Sequence, residues 1–482
     1  MEAFDTVPEG FDGIELRLDY LPVIDLDALR AALAKCPLPV ILTLRKASHG
    51  GHFRGSEDSR QAQIAQLFAL NPTYCDLEWD MDREFLQKIA QDHPEVKIIC
   101  SYHNFEDTPT DLAHILSSMY FPVFYAYKLA TMARSTLDAL RMCVFIRQHF
   151  RRDQKLSGIC MGEKGQITRI LGPVCGNFID YASVDELSSL APGQLSIREL
   201  VDTYRYGQLN PHTLLYGLIG SSVSKSLSHY AHNAVMKAFQ MNAVYVKMAI
   251  EPSELSEFFV LAQKLSFRGL SVTMPLKELV LPFLDEIEPA AKEMGSVNTL
   301  AFEATKLRGF NSDGGGALDA IEQHGAVKAK KVVILGAGGA AKAIAYVARQ
   351  RGAEISVLNR TLSKAHALAC QVGGSANALD NFHQLAAHGY DVLVNCTPEP
   401  LPIDPQHILA EAIVMDIKTW PQKGSLISHA LRLGCRVVHG HEKLINQAVV
   451  QQEIWIKDPG LKSALTHIIS KEVLAHILRA GA

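Results

Sequence analysis

Gly336, Gly338 and Ala341 stand in the spacing G-x-G-x-x-A, with an apolar run, Val332–Leu335, just before them. A helical run then ends at Gly352 and a second apolar run, Ile355–Leu358, follows. Strand, turn, helix and strand come in the order that a dinucleotide site requires. Gly336 permits the tight turn, Gly338 (with Gly339 beside it) lets backbone approach a pyrophosphate, and Ala341 allows close helix–strand packing. The helix N-terminus then faces the phosphate anion. A Gly-rich turn with no ligand is the plainer alternative. The second strand closes on Asn359-Arg360-Thr361, where the acid that would hold a ribose 2′-hydroxyl is missing. A cation follows instead, which suits a 2′-phosphate: Arg360 can fork onto it and Lys364 can add a charge one turn later. The expected cofactor is therefore NADP rather than NAD, against an arginine on a solvated helix start.

Other side chains with chemical potential lie in the N-terminal half. Lys128 follows an aromatic and apolar run, FPVFYAYK. A lysine desolvated there has a lowered pKa and some neutral amine, as a Schiff-base nucleophile needs. A lysine snorkelling from a strand end has the same pattern. His103, in SYHNF, has the pKa range of a general acid and base, although a lone His is more often structural.

The elements that must position these groups alternate. Candidate strands are Gly13–Leu18, Val40–Leu44, Tyr74–Trp79, Val96–Ser101, Val123–Tyr127 and Ser157–Met161, with weaker ones near Ile170–Val174 and Gln194–Ile197. Helical stretches separate them, and about eight such units up to Tyr206 suggest a (β/α)8 barrel. Glu15, Arg17, Arg45, Glu78, His103 and Lys128 fall where these strands end, the end at which barrels build active sites. Tyr206–His212 reads as a linker, and a new strand begins at Leu214–Gly220. The segment to Asn311 is α/β without a nucleotide turn. After the dinucleotide unit, strands are expected at Val392–Asn395, Val414–Ile417 and Arg436–Val438, and the chain is helical from Lys443.

In this second half Ser226 and Ser228 are spaced by two in a strand–loop–helix, so both hydroxyls can face a carboxylate, or cap the helix. Lys277, in GLSVTMPLK, is a candidate proton donor or a surface lysine. Asp313, in GFNSDGGG, reads as an acid in a Gly-rich turn.

Bulk properties exclude several classes. The 482 residues call for two or three domains. A net charge of −4 gives no global basic field for nucleic acid. The nine cysteines are scattered with no C-x-x-C pair, which argues for reduced thiols and against a zinc site; no metal is expected. The acidic N-terminus resembles neither a signal nor a transit peptide, and no apolar run approaches the roughly 20 residues of a membrane span. A cytoplasmic protein is expected.

Residues 12–205 resemble a type I 3-dehydroquinate dehydratase through ELRLD (15–19), TLRKASHGG (43–51), SYHNF (101–105), YKLA (127–130), MGEKGQITR (161–169) and APGQ (191–194). The resemblance implies that Lys128 forms an imine with the substrate ketone and that His103 is general base and acid. It implies that Glu15, Arg17, Arg45, Arg169 and Gln194 hold the substrate carboxylate and hydroxyls. Two positions depart from the family pattern. His49 stands where a Glu usually orients the catalytic His, and Leu190 where a Ser usually contacts substrate or lid.

Residues 213–482 resemble shikimate dehydrogenase. The resemblance pairs Lys277 with Asp313 beside the hydride-accepting carbon. It gives Ser226, Ser228, Asn298, Gln447 and Gln451 to the substrate. Gly336, Gly338, Gly339, Asn359, Arg360, Thr361 and Thr397 go to NADP. Lys225, His229, Ser271, Thr419 and Lys443 depart from the usual residues, Lys443 replacing a common Met. The implied organisation is a barrel over 1–206, a linker over 207–212, a substrate-binding α/β domain of 213–312 and 440–482, and a Rossmann domain over 313–439. The implied activity is dehydration of 3-dehydroquinate followed by NADPH-dependent reduction of 3-dehydroshikimate to shikimate, in a monomer or homodimer without nucleic-acid or membrane partners. The alternatives are an NAD-dependent quinate/shikimate dehydrogenase and a decayed, metabolite-sensing scaffold.

Overall fold

The computed structural model describes residues 10–150, 154–185, 191–303, 306–419 and 425–481. They form two compact units: residues up to Thr213 with 260–265, and the remainder from Leu214 on.

In the first unit, strands β1 (Ile14–Arg17), β2 (Val40–Thr43), β3 (Tyr74–Glu78), β4 (Lys97–Asn104), β5 (Phe124–Met132) and β6 (Leu156–Met161) form one parallel sheet in chain order. Sequential parallel pairing with a helix in each early crossover is the β/α barrel pattern. VILT of β2 and LSGICM of β6 are buried throughout, as expected where both sheet faces are covered. The intervening helices start where the chain offers a cap. Asp25, Ser56, Asp82, Asp111 and Ser135 each accept a backbone N–H from the first turn.

Two strands run further than expected. β4 continues to Asn104 and β5 to Met132, so His103 and Lys128 lie within strands rather than at their ends. The wall after β6 also differs. Ile170–Val174 is not a strand: it falls in the short helices Gln166–Ile170 and Gly172–Cys175, the latter with a proline in its first turn. The place beside β6 goes to residues 177–183. Phe178 N–H donates to Leu156 O at 3.0 Å, and the Asn177 amide bonds both Gly158 N and Gly158 O at 2.9 and 3.3 Å. Gln194–Ile197 supplies one parallel bridge, Ser183 to Ser196, before the helix Ile197–Asp202 begins. Six wall positions are regular strands, and irregular segments follow them.

The second unit holds two sheets. The strands of the first are β7 (Leu214–Gly220), β8 (Ala243–Ala249), β9 (Phe267–Val272), β10 (Glu286–Ile287), β11 (Thr299–Glu303) and β12 (Lys306–Phe310), in the mixed order β10-β12-β11-β9-β7-β8. The second is parallel, with β13 (Lys331–Leu335), β14 (Glu354–Asn359), β15 (Ser375–Ala378), β16 (Val392–Asn395), β17 (Ile413–Asp416) and β18 (Arg436–Val438). Its order, β15-β14-β13-β16-β17-β18, reverses direction between β13 and β16, and ligands bind at such a switch point. The C-terminal helices Gly440–Ile456 and Lys462–Gly481 return to pack on the helix Ser228–Ala238 through Val235, Ala448, Val449, Leu465 and Ile469.

Asp313 does not lie in a turn. It opens the helix Asp313–Glu322, where Gly314 and Gly316 serve packing rather than a left-handed bend. A Cβ on Gly316 would sit 2.8 Å from Gln447 N, so this glycine lets the helix lie against Gly440–Ile456.

Candidate active sites

In the first unit a buried charge cluster surrounds Lys128. Lys128 pairs in register with Ser101, and His103 lies two residues further along β4, on the same face. Lys128 Nζ donates to Asp76 Oδ2 and lies 4.7 Å from the centre of the Tyr181 ring. The other Asp76 oxygen accepts from Arg45 Nη2 at 2.7 Å, while Arg45 Nη1 donates to Ser101 Oγ at 2.6 Å. Burial alone would raise the Asp76 carboxyl; Arg45 and Lys128 outweigh it and hold the pKa down at about 2. Asp76 is therefore an anion, the counter-charge for an ammonium and for the protonated imine that would replace it.

His103 is the converse case. Burial, with the charges of Arg45 and Lys128, pushes its pKa well below 6.5, so the ring is neutral and ready to accept a proton. Its Nδ1 has no hydrogen-bond partner among the described residues. His49 meets it edge-on, ring centres 5.9 Å apart. Behind His49, Nε2 bonds Asp80 Oδ2 at 3.3 Å, and Lys46 Nζ lies 2.8 Å from the same carboxylate. A His–Asp pair thus stands beside His103, at the position where the resemblance implies a Glu.

The other expected substrate contacts divide. Glu15 accepts from Thr43 Oγ1 at 2.7 Å, and Arg17 forks onto Asp19 at 2.8 and 2.9 Å. Glu78 is spent on structure, bonding buried Arg60 at 2.7 Å and Lys46 N–H at 3.0 Å. Gln194 follows a turn that Gly162 N–H ties to the end of β6 through Pro192 O, at 3.0 Å. Leu190 lies outside the described residues.

Arg169 is the least satisfied cation among these. It is 3% exposed, its one hydrogen bond given by the structure is Nη1 to Tyr181 O at 3.4 Å, and its Nε has no partner among the described residues. Burial lowers its pKa to about 10, with only partial relief from Asp180. A guanidinium left short of acceptors suits an arriving carboxylate. Replacement by Met should raise the KM for an anionic substrate by about 10–100-fold, the worth of a charge-assisted hydrogen bond. It should also raise the thermal midpoint of this unit by about 2–4 °C, because an under-paired buried charge is removed. Steady-state kinetics and calorimetry on R169M check both signs.

In the second unit the expected pair forms: Lys277 Nζ donates to Asp313 Oδ2, and the carboxylate is fully buried. A second cation joins this pair. Lys443 Nζ donates to Asp313 Oδ1 and, at 2.8 Å, to Gln447 Oε1. The two ammoniums outweigh burial and hold Asp313 far below the usual carboxylate range.

Ser226 Oγ and Ser228 Oγ lie 3.0 Å apart, and Ser226 Oγ accepts at 3.2 Å the N–H of Ser228, the first residue of the helix Ser228–Ala238. Asn298 accepts Ser312 N–H at 2.9 Å and Thr299 Oγ1–H at 2.7 Å, and donates to Ser312 Oγ at 3.0 Å, bracing the residue before Asp313. Gln451 accepts from Ser271 Oγ at 3.0 Å and donates to Thr299 Oγ1 and Asn298 O at 3.0 and 3.2 Å. Its amide protons are therefore committed within the protein, and Gln447 is the freer of the two amides.

At the switch point Gly336 has φ +111° and a Cβ there would meet Cys396 backbone at 3.3 Å, so only glycine fits without strain. A Cβ on Gly338 would meet nothing within 4 Å, leaving open space at the start of the helix Gly339–Gln350, which no side chain caps. Lys277 reaches this turn: a Cβ on Gly339 would lie 3.4 Å from its Cβ. Asn359 bonds Thr361 O at 3.0 Å, and Arg360 is exposed at the end of β14 with no partner among the described residues. Thr397 donates through N–H and Oγ1 to Asn395 at 3.0 and 2.8 Å. Open backbone, an uncapped helix and a waiting arginine fit a dinucleotide bearing a 2′-phosphate.

Residues 1–211 match the family model for type I 3-dehydroquinase, 218–300 that for the shikimate dehydrogenase substrate binding domain, and 319–418 that for shikimate / quinate 5-dehydrogenase. The shikimate biosynthesis protein AroDE of Chlamydia pneumoniae is 34% identical over 93% of this chain and 90% of its own. The Arabidopsis thaliana bifunctional 3-dehydroquinate dehydratase/shikimate dehydrogenase, chloroplastic, is 33% identical over 96% of this chain and 80% of its own. The Pyrococcus abyssi shikimate dehydrogenase (NADP(+)) is 42% identical over 50% of this chain and 91% of its own. With both sites built and matches that run through both units, the chain belongs to the family of bifunctional 3-dehydroquinate dehydratases/shikimate dehydrogenases.

Proposed function

We infer that the chain dehydrates 3-dehydroquinate to 3-dehydroshikimate and reduces that product to shikimate with NADPH. The observation that carries the reading is a buried Lys–Asp pair in each unit, one beside a neutral histidine and the other beside a nucleotide turn.

In the first site Lys128 gives its ammonium proton to neutral His103 and attacks the ring ketone; the proton then goes to the carbinolamine hydroxyl, which leaves as water to give a protonated imine over the Asp76 carboxylate. The imine draws electrons from the adjacent C–H bond, and His103 takes that proton. The same histidine returns a proton to the departing hydroxyl, and hydrolysis of the imine frees Lys128. Net, one water is lost. Arg169, with Arg17, Arg45, Glu15 and Gln194, holds the carboxylate and hydroxyls and fixes the ring.

In the second site NADPH, when bound, supplies the hydride. Gly336, Gly338 and Gly339 receive its pyrophosphate, Asn359, Arg360 and Thr361 its adenosine side, and Thr397 the nicotinamide side. Ser226, Ser228, Asn298 and Gln447 orient the substrate, and Gln451, bonded to Ser271, Thr299 and Asn298, braces Asn298. Lys277, held by Asp313, protonates the oxygen as the ketone carbon is reduced. On this reading residues 213–312 and 440–482 form the substrate domain and 313–439 the nucleotide domain, with 207–212 as linker to the barrel. R360Q should lower kcat/KM for NADPH by about 100-fold and change NADH much less, a charge-assisted fork being lost. An NADH preference in the unaltered protein would instead support quinate-type use of NAD.

No described helix is long and apolar enough to cross a membrane. Nine free cysteines support a reducing, cytosolic setting, and a net charge of −4 supports small-molecule rather than nucleic-acid partners, for a chain read as a monomer or homodimer. The test is a coupled assay, with 3-dehydroquinate first alone and then with NADPH. Enone absorbance followed by NADPH-dependent shikimate establishes both activities. Enone without shikimate, or the reverse, removes one half of the reading.

A further inference from the structure

Asp313 serves two lysines, and the functional reading uses only one of them. Lys443 and Gln447 lie one turn apart on the helix Gly440–Ile456, and the contact of this helix with Asp313–Glu322 at Gly316 brings Lys443 to the free oxygen of Asp313. The Lys443 side chain is 9% exposed and that of Asp313 is 0%. It is thus no surface lysine: its ammonium is buried on a carboxylate and a side-chain amide oxygen.

The charge count shows what a second ammonium does. With Lys277, Lys443 and Asp313 all ionised, the cluster carries one net positive charge. When Lys277 gives its proton to the reduced substrate's oxygen it becomes a neutral amine, and Lys443 and Asp313 remain as a balanced pair. With an apolar residue at 443, the same step would strand Asp313 as a lone buried anion, which is costly. We propose that Lys443 is a positioning residue of the reductase site: it keeps Asp313 neutralised while Lys277 donates its proton, and so makes Lys277 the readier donor. This rests on the reductase reading above.

The groups around Lys277 agree. Burial lowers its pKa, Asp313 opposes this, and Lys443 lowers it again. Cys396 also faces the cluster, but burial pushes its thiol up to about 12, so it stays neutral. Asp416, near Cys396, is bonded to Asn395 at 3.0 Å, and Glu278, next to Lys277, is paired with Lys342 at 2.9 Å.

The test uses the full chain with K443M and K443R. One readout is the pH profile of shikimate oxidation with NADP+, in which Lys277 must be neutral to accept the proton. A second needs no turnover: competitive labelling of Lys277 with acetic anhydride across pH, read by mass spectrometry. Removing the like charge favours the ammonium of Lys277. K443M should therefore move both the acid limb and the labelling midpoint upward by about one unit or more, while K443R keeps the midpoint. Denaturant unfolding of the second unit, compared with the unaltered chain, controls for folding. A labelling midpoint that stays in place in K443M, or that moves equally in K443R, overturns the inference. A midpoint that moves in a protein that never oxidises shikimate supports the electrostatic role and overturns the reductase reading instead.

Discussion

Lys128→Ala should abolish dehydration of 3-dehydroquinate, by roughly 10⁴-fold or more, because the covalent route has no substitute nucleophile. Reduction of 3-dehydroshikimate should stay within about twofold, as expected for a substitution outside the site doing that chemistry. Lys128 sits among Asp76, Ser101, Arg45 and Tyr181, and none of these can form an imine. Asp76 would be left in K128A with Arg45 as its remaining cation, still paired at 2.7 Å, so the barrel should fold. The check is borohydride reduction in the presence of 3-dehydroquinate, followed by peptide mass mapping. The unaltered chain should carry added mass on the peptide holding Lys128, and K128A should carry none. A chain that binds dehydroquinate but is never trapped would be a sensor, not a dehydratase.

The sequence makes some of this site legible and hides the rest for physical reasons. Lys128 and His103 stand out because a titratable residue in an apolar β run is conspicuous, and the nucleotide turn because its glycines have no other use at that spacing. The sequence suggests earlier ends for β4 and β5 because a titratable residue after an apolar run reads as a strand terminus. In the fold Asp76, from β3, compensates that charge, so β5 runs on to Met132. Such partners lie far apart in the chain: Asp80 behind His49, Asp76 on Lys128 and Lys443 on Asp313 are separated by tens of residues or more, and no local pattern joins them. The wall segment 177–183 was missed because its sequence, NFIDYAS, carries no alternation, and it is held by the side chains of Asn177 and Ser157 as much as by backbone. The neighbouring ILGPV is apolar enough for a strand, but a proline placed it at a helix start. The run DGGG suggests a turn by composition, whereas Gly314 and Gly316 are demanded by helix packing.

Asp313→Asn is the corresponding experiment in the second unit, and it should damage both chemistry and stability. The carboxylate is fully buried and holds Lys277 on one oxygen and Lys443 on the other. An amide keeps the shape but leaves two ammoniums facing each other without an anion. Breaking a buried pair in this way costs about 3–5 kcal/mol. Part of that cost is escaped when Lys277 sheds its proton, which burial and Lys443 already favour, and the proton donor is then lost. Reduction should fall by about 10³-fold, the scale of removing one preorganised electrostatic group. Adding K443M to D313N separates the two effects. One of the clashing cations is gone, so most of the lost stability should return, measured by denaturant unfolding of the second unit. The reductase rate should not recover, because Lys277 still lacks the anion that keeps it protonated. If D313N alone unfolds no more readily than the parent chain, Lys277 sheds its proton at no cost in stability, and the buried-pair cost assigned to this site must be redrawn.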